Sequence, residues 1–245
     1  MPSYRFRPAL IPTLATVLLV PVLIGLGAWQ TQRAETKRAL QAEYDARSTG
    51  PVVAIGADPQ PAEALRYYRV VARGVYEPGY QILIDNRVHR GHPGYHVITP
   101  LKLAGGETRV LVNRGWIAGT PDRRLPVVET PATGVQIEGI AMVPGDRHFT
   151  LADPGPVRGE WETLWQNLDM ARYAEAVPFS VQPVVVLLDP DSAAGGFVRE
   201  WARLDAGIAT HQSYAFQWFA LATALAALYL LVNLKRETSD RDRDD

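Results

Sequence analysis

The segment His211-Gln-Ser-Tyr-Ala-Phe-Gln-Trp-Phe219 begins a stretch, ending at Leu234, whose side chains are almost all apolar. Between positions 206 and 234 the sequence contains no Asp, Glu, Lys or Arg, and Lys235 follows directly. A helix of about 20 apolar residues, rising roughly 1.5 Å each, crosses the ~30 Å hydrocarbon core of a bilayer. This stretch therefore predicts a transmembrane helix, with 206–234 as its entry segment and span.

A second apolar run lies near the other end of the chain, from Leu10 to Trp29, behind two arginines. A basic start before an apolar centre also fits a signal peptide. The run is closer to the length of a span, however, and no clear small-x-small cleavage pattern follows it. We therefore expect an uncleaved transmembrane helix at 10–29, which continues out of the membrane as a helix over 30–50.

Basic residues next to the second span set the orientation. Four of them follow it, namely Lys235, Arg236, Arg241 and Arg243. Because cytoplasmic flanks are enriched in Lys and Arg, the C-terminus is expected in the cytoplasm, and two spans return the N-terminus to the same side. We predict a multi-pass protein of the bacterial inner membrane, embedded in the lipid bilayer. Its cytoplasmic ends are 1–9 and 235–245, and 51–205 forms a domain that faces the periplasm or its organellar equivalent.

Composition argues against several classes of function. The 245 residues carry a net charge of −1, so the sequence has no excess of positive charge for binding nucleic acid. Cysteine is absent, so thiolate metal sites, disulfide exchange and covalent haem attachment are excluded. The sequence also lacks a Gly-x-Ser-x-Gly elbow, a phosphate-binding glycine loop and a zinc-protease helix. These absences favour a protein that is not an enzyme.

The middle of the chain consists of short runs typical of β-strands, separated by Gly and Pro. We predict strands over 67–76, 80–87, 95–103, 109–117, 135–142 and 184–188. Gly105-Gly106 indicates a hairpin loop, and Asp169 a cap for a short helix over 170–177. The predicted fold class is an α+β membrane protein, in which two transmembrane helices flank an antiparallel β-barrel or sandwich-like extracytoplasmic domain with a short helix.

A titratable side chain marks the start of the second span. Tyr214 and Trp218 lie on the same helical face as His211, because they follow it at helical spacing. A polar nitrogen at the edge of a bilayer is costly without a partner, which makes His211 a candidate functional residue. On the first helix, Trp29 and Arg33 are one turn apart. Both sets also fit interfacial anchoring, in which rings and long cations only mark membrane depth.

Five motifs occur in order along nearly the whole chain. They are Leu26-Gly27-x-Trp29-Gln30-x-x-Arg33-x-x-x-Lys37, Tyr68-Arg69-x-Val71-x-Arg73-Gly74, Gly94-Tyr95-x-Val97-x-Thr99-Pro100, Val112-Asn113-Arg114-Gly115-Trp116 and His211-x-x-Tyr214-x-x-x-Trp218. In this combination the sequence resembles the Surfeit locus family of assembly factors for haem–copper cytochrome oxidase.

The resemblance implies two spans around a domain outside the cytoplasm, haem a binding in bacterial members, and help in inserting that haem into oxidase subunit I. Haem a synthase is then a further expected partner. The family's second-helix histidine, the implied contact of the haem iron, maps onto His211. Tyr214, Trp218, Arg33 and Trp29 are the further residues that we expect to contact haem a.

Two adjacent positions depart from the family pattern. An Asn-Glu pair usually precedes the histidine, and this chain has Ala209-Thr210 instead. The second ring nitrogen of a metal-bound histidine normally forms a hydrogen bond that orients the ring. We expect Gln212 or Tyr214 to take that role here.

Two other sets of residues are candidates for binding. His89-x-x-His92-x-x-x-His96 has the spacing of a metal triad, but the Gly and Pro residues within it indicate a polar loop, so metal binding is left open. Arg114, Trp116, Tyr68 and Arg69 are candidate partner-binding residues. Arg114 either pairs with an acid inside the domain or reaches a partner, and Tyr68-Arg69 also fits a plain sheet surface.

The predicted function is therefore a non-enzymatic assembly factor that holds haem a transiently and aids its insertion into subunit I. Two alternatives stay open. The first is a haem-independent membrane scaffold that stabilises an oxidase assembly intermediate, with His211 only an anchor. The second is a membrane-tethered enzyme of unknown chemistry.

Overall fold

The computed structural model describes residues 4–122, 124–145, 161–201 and 207–236. The chain divides into two compact units: Glu43–Ala202, and a unit formed by Met1–Ala42 together with Arg203–Asp245. Most of the predicted cytoplasmic end at 235–245, namely the part after Arg236, lies outside the described residues. The elements in chain order are β1 (Tyr4–Phe6), α1 (Leu10–Ser48), β2 (Val53–Ala54), α2 (Ala62–Leu65), β3 (Arg69–Tyr76), a single 3-10 turn (Pro78–Tyr80), β4 (Ile82–His89), β5 (His92–Leu103), β6 (Arg109–Ala118), β7 (Val135–Met142), β8 (Leu164–Trp165), α3 (Met170–Ala176), β9 (Val181–Leu188), α4 (Ile208–Asn233) and β10 (Leu234–Arg236).

Two long helices carry the apolar stretches. α1 is continuous for 39 residues, so the helix expected over 30–50 is the direct continuation of the first apolar run. By length and composition, α1 and α4 can each cross a membrane. Only 6% of the apolar window of α1 and 11% of that of α4 is buried within the protein. Helix surfaces that are apolar and exposed to this extent favour a lipid environment over water.

Polar contacts join the two helices where the chain ends meet. β1 and β10 pair as antiparallel strands. Asn233 is 1% exposed; its Oδ1 accepts a hydrogen bond from the Ala9 N–H at 2.8 Å, and its Nδ2 donates to the Tyr229 carbonyl at 2.8 Å. The Tyr229 and Thr13 hydroxyl oxygens lie 2.9 Å apart. Both ends of the described chain therefore lie at one end of the helix pair, which fits termini on the same side of a membrane.

The unit Glu43–Ala202 is built on a barrel of five strands. The ring follows β3–β7–β9–β6–β5 and closes where β5 pairs with β3. β4 pairs with the first half of β5 and carries β8, and β2 adds to β3. The prediction of an antiparallel domain needs correction, because β2–β3, β4–β8 and β6–β9 are parallel pairs. The connection from β6 to β9 contains β7, β8 and α3, which gives the length that a parallel pairing requires.

Strands β6 and β9 are buried on both faces. On β9, Val184 and Val186 belong to the cluster inside the barrel, whereas Val185 belongs to a second cluster with Trp165 and Tyr173. A strand covered on both sides needs apolar residues at consecutive positions, which explains the unbroken run at 183–188. This packing fixes β6 and therefore the motif that lies towards its end.

The predicted strands are confirmed with shifted ends: β7 covers 135–142 as predicted, and the others differ by at most three residues at either end. β5 and β6 form the antiparallel pair expected around Gly105-Gly106. α3 begins at Met170, and the Asp169 carboxylate accepts a hydrogen bond from the Arg172 N–H at 3.0 Å, which confirms the predicted cap.

Candidate functional site

His211 lies in the first turn of α4 and contacts α1. Its Nδ1 is 2.7 Å from Oε1 of Gln30. With the Gln30 amide in the orientation that the structure gives, its oxygen accepts a hydrogen bond from Nδ1. In this tautomer the lone pair is on Nε2, for which the structure gives no hydrogen bond to a described residue. A histidine that binds a metal through Nε2 requires this tautomer.

The prediction that Gln212 or Tyr214 would orient the imidazole is wrong, because both side chains are exposed on α4. Gln30 takes that role. It belongs to the first-helix motif but lies 181 positions before His211. Periodicity along one helix cannot identify a partner on another, so the only signal in the sequence was a polar amide at the end of an apolar run.

Small residues allow the helices to approach closely near this pair. Gly27 is buried one turn before Gln30, and a Cβ at position 27 would lie 2.7 Å from a ring carbon of Phe219. Ala34 and Ala215 are also buried, at 1% and 7% exposure. Glycine at 27 therefore permits an interhelical contact that a larger side chain would block.

The aromatic residues expected to contact haem lie on the outer surfaces of the helices. Tyr214 is 47% exposed, Trp29 is 50% exposed and Trp218 is half-buried. The Arg33 guanidinium carbon lies 5.9 Å from the centroid of the Trp29 ring, which is a cation–π contact. These surfaces are open to lipid or to a flat apolar ligand, and their role in haem contact stays a prediction.

In the barrel unit, Arg114 is enclosed. Its side chain is 1% exposed, and the guanidinium donates hydrogen bonds to the Gly195 carbonyl at 3.0 Å, the Thr130 hydroxyl at 2.8 Å and the Glu129 carbonyl at 2.6 Å. Burial lowers the pKa of Arg114. Among the described residues it pairs with no acid. The predicted contact of Arg114 with a partner protein stays a prediction.

The residues after Arg114 hold a neighbouring segment against β6. Gly115 has a φ of +116°, and a Cβ there would lie 2.6 Å from the Val198 carbonyl oxygen, so the backbones approach in a way that requires glycine. The Trp116 and Val198 backbones exchange two hydrogen bonds, and the Trp116 indole N–H donates to the Arg87 carbonyl at 2.7 Å. Trp116 therefore has a structural role here, and partner binding by this residue stays a prediction.

Tyr68 and Arg69 lie at the start of β3. Tyr68 is half-buried and packs against the core of the barrel. Arg69 is exposed and forms an ion pair with Asp189 at 2.9 Å. These positions fit a sheet surface, and a partner-binding role is untested.

The three histidines of the candidate metal triad lie on a hairpin rather than in the expected polar loop. β4 extends to His89 and β5 begins at His92, joined by Arg90-Gly91, both with positive φ. Side chains alternate along β5, and His96 lies further along it, with its Nδ1 3.4 Å from the Asn113 amide nitrogen. Within the described part of the chain, no group of three His, Cys, Asp or Glu side chains is placed to hold a metal ion.

Comparison with known proteins supports the resemblance carried by the five motifs. The SURF1 family model matches residues 17–223. The chain is 26% identical over 241 residues to Surfeit locus protein 1 of Mus musculus, covering 90% of this chain and 75% of the mouse protein. Its identity to a SURF1-like protein of Rickettsia felis is 24% over 226 residues, with 89% and 95% covered. Surfeit locus protein 1 of Homo sapiens is 26% identical over 235 residues, with 87% and 75% covered. The chain belongs to the SURF1 family, a family of cytochrome oxidase assembly factors.

Proposed function

We propose that this chain is a two-span membrane protein that binds haem a transiently at His211 and assists its insertion into subunit I of a haem–copper oxidase. Haem a synthase would supply the haem. The family supports the role in oxidase assembly. The observation that supports haem binding is the contact of Nδ1 with Gln30, because it orients the ring and leaves Nε2 available to bind iron.

The residues around this nitrogen fit haem. A haem group needs an imidazole donor, apolar surfaces against its rings and cations near its propionates. His211 supplies the donor, and Tyr214 and Trp218 follow it on the same helical face. Arg33, stacked on Trp29, supplies a guanidinium that can form paired hydrogen bonds with a carboxylate.

The partner of the imidazole is an amide rather than a carboxylate. A carboxylate partner would raise the basicity of the ring and strengthen its bond to iron, whereas a neutral amide orients the ring with a smaller effect. This arrangement suits a carrier, because a moderate axial bond can be replaced by a histidine of the oxidase. The chain would act by ligand exchange without turnover of a substrate.

The test is co-expression with a haem a synthase, followed by visible spectra and pigment extraction of the purified protein. His211→Ala is expected to lose the pigment. Gln30→Leu is expected to lower haem affinity about tenfold or more, because the orienting hydrogen bond is lost. Gln212→Ala changes an exposed amide beside His211 and is the matched control. Unchanged haem content in His211→Ala would refute the proposal.

Gln30→Glu tests the argument about weak binding. A carboxylate at this position should strengthen the axial bond, so haem should leave the variant more slowly than the wild type. The measurement is the rate of haem transfer to an excess of a haem-scavenging globin. Faster transfer from Gln30→Glu than from the wild type would contradict the assignment of Gln30 as the orienting residue.

The β-rich unit Glu43–Ala202 favours a second candidate function, because it is a compact unit with a packed core of its own that the haem proposal does not use. In this case the protein would stabilise an oxidase assembly intermediate without carrying haem. The His211→Ala variant distinguishes the two candidates. Full oxidase assembly with a variant that has lost its pigment would favour the scaffold.

We also propose that both termini are cytoplasmic and that the barrel unit is periplasmic in a bacterial inner membrane. The pairing of β1 with β10 supports termini on the same side. The basic residues after the second apolar helix support the cytoplasm as that side.

A further inference from the structure

A cavity of about 370 Å³ lies beside Arg114 in the barrel unit. It is lined by Arg114 and by two short segments, 129–131 and 195–197. Arg114 is the charged residue of the Asn-Arg-Gly-Trp motif, and the proposed haem site gives it no role. The guanidinium is 1% exposed, so it is a buried charge next to an empty volume.

Arg114 uses most of its donors on neutral oxygen atoms. Nε bonds to the Gly195 carbonyl, Nη1 to the hydroxyls of Thr99 and Thr130, and Nη2 to the Glu129 carbonyl. A guanidinium has five N–H groups. One N–H on Nη2 therefore has no acceptor among the described residues.

Other donors around the cavity are also unused. The Thr130 hydroxyl accepts from Arg114 and donates to no described residue. The backbone N–H groups of Gly195 and Gly196 form no hydrogen bond within the described part of the chain. The lining thus combines one cationic donor with several neutral donors, an arrangement typical of sites for oxygen anions.

Arg114 forms no ion pair with a described residue, and Glu129 in the cavity lining contacts it through the backbone carbonyl. Arg199 lies close by, and its Nη1 donates to the carbonyls of Asp189 and Ser192, both at 2.8 Å. The Tyr76 ring lies 5.0 Å from the guanidinium carbon of Arg114. Burial raises the pKa of Tyr76 to about 12, so its hydroxyl stays neutral. A buried cation without an ion-pair partner is costly, and a bound anion would reduce that cost.

We propose that this cavity binds a carboxylate group, held by Arg114, the Thr130 hydroxyl and the backbone N–H groups at 195–196. One guanidinium without an ion-pair partner matches the single charge of a carboxylate. The remaining Nη2 N–H can donate to one carboxylate oxygen, and the Thr130 hydroxyl and the backbone N–H groups can donate to the other. Glu129 also lines the cavity and is exposed, so its negative charge limits the affinity and disfavours phosphate, which carries nearly two negative charges.

The test uses the full chain, labelled with nitrogen-15, in a non-ionic detergent. Sodium acetate, sodium phosphate and sodium chloride are titrated at equal ionic strength. The readouts are the backbone amides of Gly195 and Gly196 and the arginine Nε–H signals. Acetate is expected to shift these signals to saturation, whereas chloride is not.

Three variants keep Arg114 in place, so they report on binding without removing the central side chain. Thr130→Val should weaken acetate binding about tenfold, because a hydrogen bond to a charged group is lost. Glu129→Gln should strengthen it about two- to fivefold, because a like charge is removed. Thr133→Val changes an exposed threonine in the same segment and should bind acetate as the wild type does.

The outcomes are separable. Acetate shifts no larger than those of chloride would overturn the proposal, and would leave Arg114 as a purely structural residue that fastens the segment at 195–198. Equal weakening by Thr130→Val and Thr133→Val would overturn the assigned contacts. Tighter binding of phosphate than of acetate would overturn the carboxylate assignment.

Discussion

Acidification is expected to destabilise the barrel unit through His96. This residue lies on β5 opposite Ile84 and Trp116, and its ring meets the Trp201 ring edge-on at 5.8 Å. Burial, and to a smaller extent the positive charge of Arg87, lowers the pKa of His96 from 6.5 to about 4. In the unfolded chain the imidazole regains its usual pKa. The folded and unfolded states therefore bind different numbers of protons between these two values.

Between pH 6.5 and pH 4 the unfolded chain binds a proton that the folded unit does not, so stability falls as the pH falls. The contribution of the neutral imidazole to the free energy of unfolding is fully present above the pKa of the unfolded chain. It is lost as the pH falls to the pKa of the folded unit. A tenfold change in proton affinity is worth about 1.4 kcal/mol, so the full difference corresponds to about 3 kcal/mol. Water reaches part of the half-buried ring and screens it, so we expect about 2 kcal/mol.

The measurement is chemical unfolding of the whole protein in detergent, followed by tryptophan fluorescence, between pH 7 and pH 4. The free energy of unfolding of His96→Gln should change less with pH than that of the wild type, by about 2 kcal/mol. His92→Gln alters the exposed histidine of the same hairpin and should follow the wild type. Parallel pH profiles for the wild type and His96→Gln would refute the reasoning.

Two further predictions concern the helix pair and the membrane topology. Gly27→Val should destabilise the helix pair by about 1 kcal/mol, because the Phe219 ring, which is 40% exposed, must turn away from the new side chain. Gly25→Val should not, since nothing lies within 4 Å of a Cβ there. Thermal unfolding followed by circular dichroism compares the two variants, and equal losses would contradict the packing. The chain has no native cysteine, so single cysteines can report topology. A membrane-impermeant maleimide is added to intact spheroplasts. It should label Val127→Cys, since Val127 is 91% exposed and lies in the barrel unit, and it should not label Ser239→Cys near the C-terminus. The reverse labelling pattern would show that the termini are outside the cytoplasm.

Local features of the sequence predicted most of the elements. Alternation of apolar residues bounded by Gly and Pro located the six long strands, and the Asp169 cap placed the start of α3. The closure of the barrel and the parallel pairing of β6 with β9 depend on which distant strands meet, and strand patterns carry no such information. The hairpin at His89 and His92 was missed because Arg90 adopts a positive φ, which is uncommon for a residue other than glycine.

In the candidate haem site, too, the sequence predicted some residues and only the structure identified another. His211 and its aromatic neighbours follow from spacing along one helix, whereas Gln30 follows only from the packing of two helices. Arg114 illustrates the opposite case. The motif identified Arg114 as a candidate residue, but only the structure shows that its N–H groups donate to carbonyls and hydroxyls and not to an acid.

The polar groups at the two ends of the helix pair differ in how many of their hydrogen bonds are formed within the protein. At the end where the termini meet, the Asn233 amide uses both its oxygen and its nitrogen, and the hydroxyls of Thr13 and Tyr229 bond to each other. These contacts satisfy polar groups that lipid cannot satisfy, so structure alone accounts for them. At the other end the His211–Gln30 pair satisfies only one ring nitrogen. The second ring nitrogen has no partner among the described residues, and the proposed axial bond to haem would use this nitrogen.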